Sequence, residues 1–160
     1  MNTEDFSAPI TDRYFEDYHP GFVGEYGSIT VDEHEVLEFA KRFDPQWFHL
    51  DPVRAAEGPF GGLIASGWHT CALMMRLYAD HFVSKVAGMG SPGIDELRWK
   101  KPVRPGDTLS IRVSILEAKR STSKPDRGLV RVQVEVLNQH KEVVMSLKVM
   151  TLFRCRTAPP

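Results

Sequence analysis

Asp44 and His49 stand five positions apart in the run Asp44-Pro45-Gln46-Trp47-Phe48-His49-Leu50-Asp51. A carboxylate and an imidazole turned toward one point can hold a single water molecule, the carboxylate orienting it and the neutral ring taking its proton, and His titrates near the pH where such work is done. The flanking Trp47 and Phe48 would keep that point apolar. The same residues also read without chemistry, with Asp44 ending a helix ahead of Pro45 and His49 an ordinary loop histidine. A second group, Gly61-Gly62-Leu63-Ile64-Ala65-Ser66-Gly67, precedes a long apolar segment. If that segment is a helix, its first turn has unpaired N–H groups at the positive end of the macrodipole, suited to an oxygen that gains negative charge. Gly67 would let a substrate approach the backbone, while Ser66 reads equally well as a helix cap. A third group, Arg98-Trp99-Lys100-Lys101-Pro102-Val103-Arg104, places four cations in seven residues. It suits phosphate groups, or a solvated sheet edge, and it lacks the aromatic and glycine pattern of the common RNA-binding modules. His49, Asp51 and His69 match no strong metal-ligand spacing, so no metal is expected.

These residues need elements to position them, and the hydrophobic period supplies them. From Thr30 to Phe43, Val36, Leu37, Ala40 and Phe43 share one helical stripe, with a capping box expected at Thr30 and Glu33 and an end at Asp44-Pro45. A loop from Gln46 to about Phe60 follows, with a short helical turn expected at Pro52 to Ala56. A second helix is predicted from about Ser66 to Val83, apolar around most of its axis and therefore buried. After Gly93 the period becomes two: Leu109, Ile111, Val113 and Ile115, then Val130, Val132, Val134 and Val136, then Met145, Leu147, Val149 and Phe153. Polar turns separate these three strands, and further strands are expected at 94–101 and 22–29. The fold class is α+β, an antiparallel sheet curled around a buried central helix, with self-association through an exposed edge.

Length and composition bound the partners. A chain of 160 residues and 18.1 kDa is read as one domain, with an N-terminal extension at 1–20 and a C-terminal tail at 154–160. Twenty Lys and Arg against 21 Asp and Glu give a formal charge of −1, with no overall field to draw the protein onto nucleic acid. Cys71 and Cys155 are expected to be free thiols. The most apolar segment, Trp68 to Val83, is interrupted by His69, Arg76, Asp80 and His81, so no membrane span is expected, and the lack of a signal-peptide pattern predicts a cytoplasmic protein.

Taken in order, 44–51, 61–67 and 97–109 (Leu-Arg-Trp-Lys-Lys-Pro-Val-Arg-Pro-Gly-Asp-Thr-Leu) resemble the MaoC-like dehydratases, the hot-dog-fold family that includes the (R)-specific enoyl-CoA hydratases. The resemblance runs from about Gly24 to Phe153. It implies that Asp44 and His49 activate the water that adds across a 2-enoyl thioester, and that the Gly67 N–H holds the thioester oxygen. It further implies a homodimer, an acyl-CoA substrate lying near the subunit interface, and no metal or redox cofactor. Gln46, Trp47 and Ser66 would shape the substrate site, and Arg98, Lys100 and Lys101 are positioned for the CoA phosphates. Gln46 and Trp47 replace the family's usual Asn and Pro, and Ser66 stands where many hydratases carry His. These departures point away from a standard straight-chain enoyl substrate. Two other functions fit the same fold, a thioesterase and a non-catalytic acyl-binding module. The first is disfavoured because 67–74 holds no carboxylate to activate water for attack on a thioester.

Overall fold

The structure is a computed structural model that describes residues 5–157. Five strands, β1 (Val23–Thr30), β2 (Gly93–Trp99), β3 (Thr108–Arg120), β4 (Arg127–Leu137) and β5 (Val143–Arg154), form one antiparallel sheet in the order β1-β3-β4-β5-β2. The alternation read from the sequence is the sheet's inner face. Val113 lies opposite Val134, and Val134 opposite Leu147, so three buried rows line up across the central strands. The helices are α1 (Glu33–Phe43), α2 (Trp47–Leu50), α3 (Pro52–Ala56) and α4 (Gly67–His81).

The inner face packs on α4 through Leu73, Met74, Leu77 and Tyr78, all buried in one continuous core with the valines of β4. Polar and sulfur contacts tie the same helix to β5. The Tyr78 hydroxyl lies 3.1 Å from Thr151 Oγ1, and Cys71 Sγ lies 3.6 Å from Met145 Sδ. Both cysteines are free thiols.

The far end of α4 is fixed by the N-terminal extension. The buried Arg13 guanidinium donates to the carbonyls of His81 and Phe82 at 3.2 Å each, and the Tyr18 hydroxyl donates to Phe82 O at 2.8 Å. Carbonyls that the last helical turn leaves unpaired are thereby satisfied. The Arg13 side chain also lies over the Phe6 ring, 3.6 Å from its centroid, and Tyr18 stacks on Phe153 at 4.0 Å. Residues 1–4 of the extension and 158–160 of the tail lie outside the described residues. β5 runs through Arg154, so the tail begins one residue later than expected.

Three expectations need correction. Thr30 does not cap α1: it is the last residue of β1, paired with Thr108, and Asp32 is the cap, its carboxylate accepting from Glu35 N–H at 3.0 Å. The strand expected at 94–101 stops at Trp99, where Lys100 and Lys101 both turn their N–H groups onto Val144 O ahead of Pro102. And α4 is not enclosed on all sides. Trp68 and Met75, 59% and 47% exposed, form an apolar stripe with Ala72 on the face turned away from the sheet.

Candidate active site

Asp44 terminates α1. Its N–H still donates to Ala40 O at 2.9 Å, but its φ of −150° and ψ of 71° leave the helical region, as a residue before proline must. A turn follows in which Gln46 N–H reaches back to Asp44 O at 2.8 Å. The chain then forms the single helical turn α2, too short for its period to be read from sequence, which carries His49 inward to 5% exposure. The His49 Nδ1 sits 2.8 Å from Ile64 O. A carbonyl oxygen can only accept, so Nδ1 carries a hydrogen and Nε2 is the nitrogen turned toward Asp44. That Nε2 lies 3.3 Å from Asp44 Oδ2.

Both oxygens of Asp44 are held from the protein side. The Ser66 hydroxyl, fully buried, donates to Oδ2 at 2.7 Å, and the Gln46 side-chain amide donates to Oδ1 at 2.7 Å. Burial pushes the Asp44 carboxyl up, but these two hydrogen bonds and the neighbouring His49 more than offset it, leaving the group below the usual carboxylate range. Ser66 also caps α4, accepting from Trp68 N–H at 3.3 Å. One side chain thus links the helix start to the carboxylate.

Gly67 opens α4. Its N–H has no hydrogen-bond acceptor among the described residues, and its carbonyl accepts from the Trp99 indole N–H at 3.0 Å. The approach is so close that a Cβ on Gly67 would sit 2.4 Å from the indole ring. Asp44, Gln46, His49 and Gly67 all line one cavity of about 380 Å³. Its walls are largely apolar, including Phe60, Ile64, Trp68, Trp99 and Val103, with Lys100 and Lys101 also lining it. The arrangement brings a carboxylate and an imidazole nitrogen together beside a backbone donor with no acceptor among the described residues, which suits acid–base chemistry on a group whose oxygen gains charge.

Some expected residues are elsewhere. Trp47 does not line the cavity; its ring packs against the Arg54 side chain at 4.5 Å and against Phe48 at 5.4 Å. Phe48 stands edge-on behind the His49 ring, and Met75 lies on the exposed face of α4. Arg98 points away, its guanidinium donating to Leu97 O at 2.9 Å, and Lys101 pairs with Glu142. Lys100 is left as the cation of that segment lining the cavity with no side-chain partner among the described residues. Asp51 caps α3, accepting from Arg54 N–H at 3.0 Å, and His69 stacks on Phe39 at 4.9 Å. Among the described residues no three His, Cys, Asp or Glu side chains gather as a metal would require. No described helix is long and apolar enough to cross a membrane. Sequence reasoning missed Phe60, Thr70 and above all Trp99, which lay inside a segment read only for its cations.

A five-stranded antiparallel sheet packed on one long helix is the hot-dog fold. The chain belongs to the MaoC-like dehydratase family, whose MaoC-like domain matches residues 22–139. It is similar to the 3-hydroxyacyl-thioester dehydratase Z of Mycobacterium tuberculosis, 34% identical over 116 residues that cover 71% of this chain and 77% of the relative. The crystal structure of a MaoC-like dehydratase from Rhodospirillum rubrum superposes with a TM-score of 0.81 at 36% identity, covering 91% of this chain and 99% of that one. An unliganded R-hydratase from Pseudomonas aeruginosa gives a TM-score of 0.70 at 25% identity, covering 92% and 94%.

Proposed function

We propose that the protein is a hydro-lyase that adds water to a 2-enoyl-CoA and removes it from the 3-hydroxyacyl-CoA. The observation that carries this reading is the 3.3 Å separation of Asp44 Oδ2 and His49 Nε2 in the cavity that Gly67, with no acceptor for its N–H among the described residues, also lines. When the ring is neutral, the carboxylate oxygen and the imidazole Nε2 both present lone pairs, and a water that donates one hydrogen to each joins them. Such a water has its own lone pair aimed into the cavity at the β-carbon of an enoyl thioester. As its oxygen attacks, negative charge moves to the thioester oxygen, where the Gly67 N–H and the positive end of α4 stabilise it. A donor of this kind contributes about 3 kcal/mol to the transition state. In the reverse direction the same groups take up the departing hydroxyl. Gln46 and Ser66 act through Asp44, holding its carboxylate ionised and oriented.

The substitution of Gln46 for the family's usual Asn keeps an amide on Asp44, so the role survives the added methylene. Lys100 at the cavity is the side chain best placed to meet a CoA phosphate. The apolar stripe of Trp68, Ala72 and Met75 on α4, next to the open edge of β2, supports a homodimer joined through that face.

The test is Asp44→Asn, which keeps the shape and removes the charge. Hydration of crotonyl-CoA, followed by loss of its conjugated double bond, is expected to fall by about 10²-fold or more, with folding and acyl-CoA binding retained. Unchanged turnover would defeat the role given to Asp44. Release of free thiol without hydration would establish a thioesterase instead.

A further inference from the structure

The Trp99 indole is part of the site, and nothing in the proposed water chemistry uses it. Its N–H is spent on the Gly67 carbonyl at 3.0 Å, its ring fills the space where a Gly67 Cβ would stand, and the Trp68 ring meets it edge-on at 5.3 Å and 78°. It also lines the cavity. Although 47% exposed, the ring is held by its bond to the Gly67 carbonyl and by its contacts with Gly67 and Trp68, and it walls the cavity beside the Gly67 N–H, which has no acceptor among the described residues.

We infer that Trp99 is a specificity-determining residue that limits the substituent on C2 of the acyl thioester. The inference rests on the hydratase reading above, which puts the thioester oxygen on the Gly67 N–H. With the oxygen there, the carbonyl carbon and its neighbour C2 lie one and two bonds from that oxygen, and the indole bounds the space beside them. A hydrogen on C2 fits against such a wall. A methyl group there has to displace a ring that is hydrogen-bonded at one edge and braced by a second aromatic. A fixed wall discriminates by steric exclusion, so the effect falls on the branched substrate more than on the straight one. Gly67 and Trp99 then form a matched pair: the glycine has no side chain because the indole occupies its place.

The experiment compares crotonyl-CoA with 2-methylcrotonyl-CoA on the wild-type protein and on Trp99→Ala, Trp99→Leu and Trp99→Phe, reading kcat/KM for hydration of each. The wild type is expected to favour crotonyl-CoA, so at C2 the wall runs against the turn from straight-chain substrates that Gln46, Trp47 and Ser66 suggested in the sequence. W99A is expected to raise the ratio of branched to straight kcat/KM by about 10-fold or more, within the range that one methyl group commands in an apolar pocket. W99L, which removes the ring and keeps an apolar stem, gives the same reading should W99A lose its fold. W99F keeps a flat wall and loses the indole hydrogen bond, so its ratio should stay near that of the wild type. Equal losses on both substrates in W99A and W99L would overturn the inference and leave Trp99 as an anchor for the start of α4. So would a wild type that hydrates both substrates alike. A wild type that hydrates neither substrate would instead refute the hydratase reading, and the inference would fall with it.

Discussion

Removing the Ser66 hydroxyl tests the link between helix start and carboxylate. Ser66→Ala deletes a 2.7 Å bond to Asp44 Oδ2 and a longer 3.3 Å cap on Trp68 N–H. Hydrogen bonds to ionised partners contribute about 1.5–3 kcal/mol, and the cavity on the open side of Asp44 places this one near the lower end, about 1.5 kcal/mol. The cap, long and shared, adds about 0.5–1 kcal/mol. The variant should therefore lose about 2 kcal/mol at neutral pH, and the loss should depend on pH with a definite sign. Asp44 titrates below its ordinary value in the folded chain, so its contribution is present above the unfolded pKa of about 3.9 and disappears as the pH falls through the folded value. S66A weakens that contribution, which makes the difference from wild type largest at neutral pH and smaller in acid, where the lost cap remains. Urea unfolding of both proteins at several pH values measures it. A difference that stays the same from neutral pH into acid would refute the claim that Ser66 stabilises the ionised carboxylate.

Three further outcomes are expected. Gly67→Ala places a methyl group 2.4 Å from the indole of Trp99, so the ring or the first turn of α4 must shift, and crotonyl-CoA turnover should drop by about 10²-fold while the circular dichroism spectrum is kept. Lys100→Ala should raise KM for an acyl-CoA by about 2- to 5-fold with kcat little changed, and should weaken the dependence of KM on salt, as loss of one exposed ionic contact requires. Met75→Glu puts a charge on the apolar stripe of α4 and should weaken self-association by about 2 kcal/mol or more for each copy, seen by sedimentation as a shift from dimer to monomer.

The sequence was most legible where a period extends over several turns or residues. The alternating apolar residues of β3 to β5 repeat often enough to set element type and inward face, and the strand pairs follow; in α1 the stripe set the helix and buried Val36 and Ala40, while its last member, Phe43, is 61% exposed. The single turn α2 repeats nothing, yet it delivers His49, so the Asp–His spacing was visible and the means of convergence was not. The helix cap went to Asp32 because Thr30 is claimed by a strand partner at Thr108, a contact that no local pattern announces. The same distance effect hid the supports of the site. Ser66 meets Asp44 across 22 positions and Trp99 meets Gly67 across 32, so the types were readable and their pairings were not. The exposed face of α4 was misjudged because apolar composition alone does not tell which faces of a helix its own chain covers.

The bond from His49 Nδ1 to the Ile64 carbonyl has a stereochemical consequence. With that nitrogen committed to the backbone, the ring exchanges protons through one atom only, and that atom lies 3.3 Å from the other acceptor. On the proposed mechanism, whichever group takes the proton from water holds it on the side of the substrate from which the oxygen attacked. The hydrogen returned to C2 and the hydroxyl on C3 then arrive on the same face, so deuterated water should label a single diastereotopic position, the one set by syn addition.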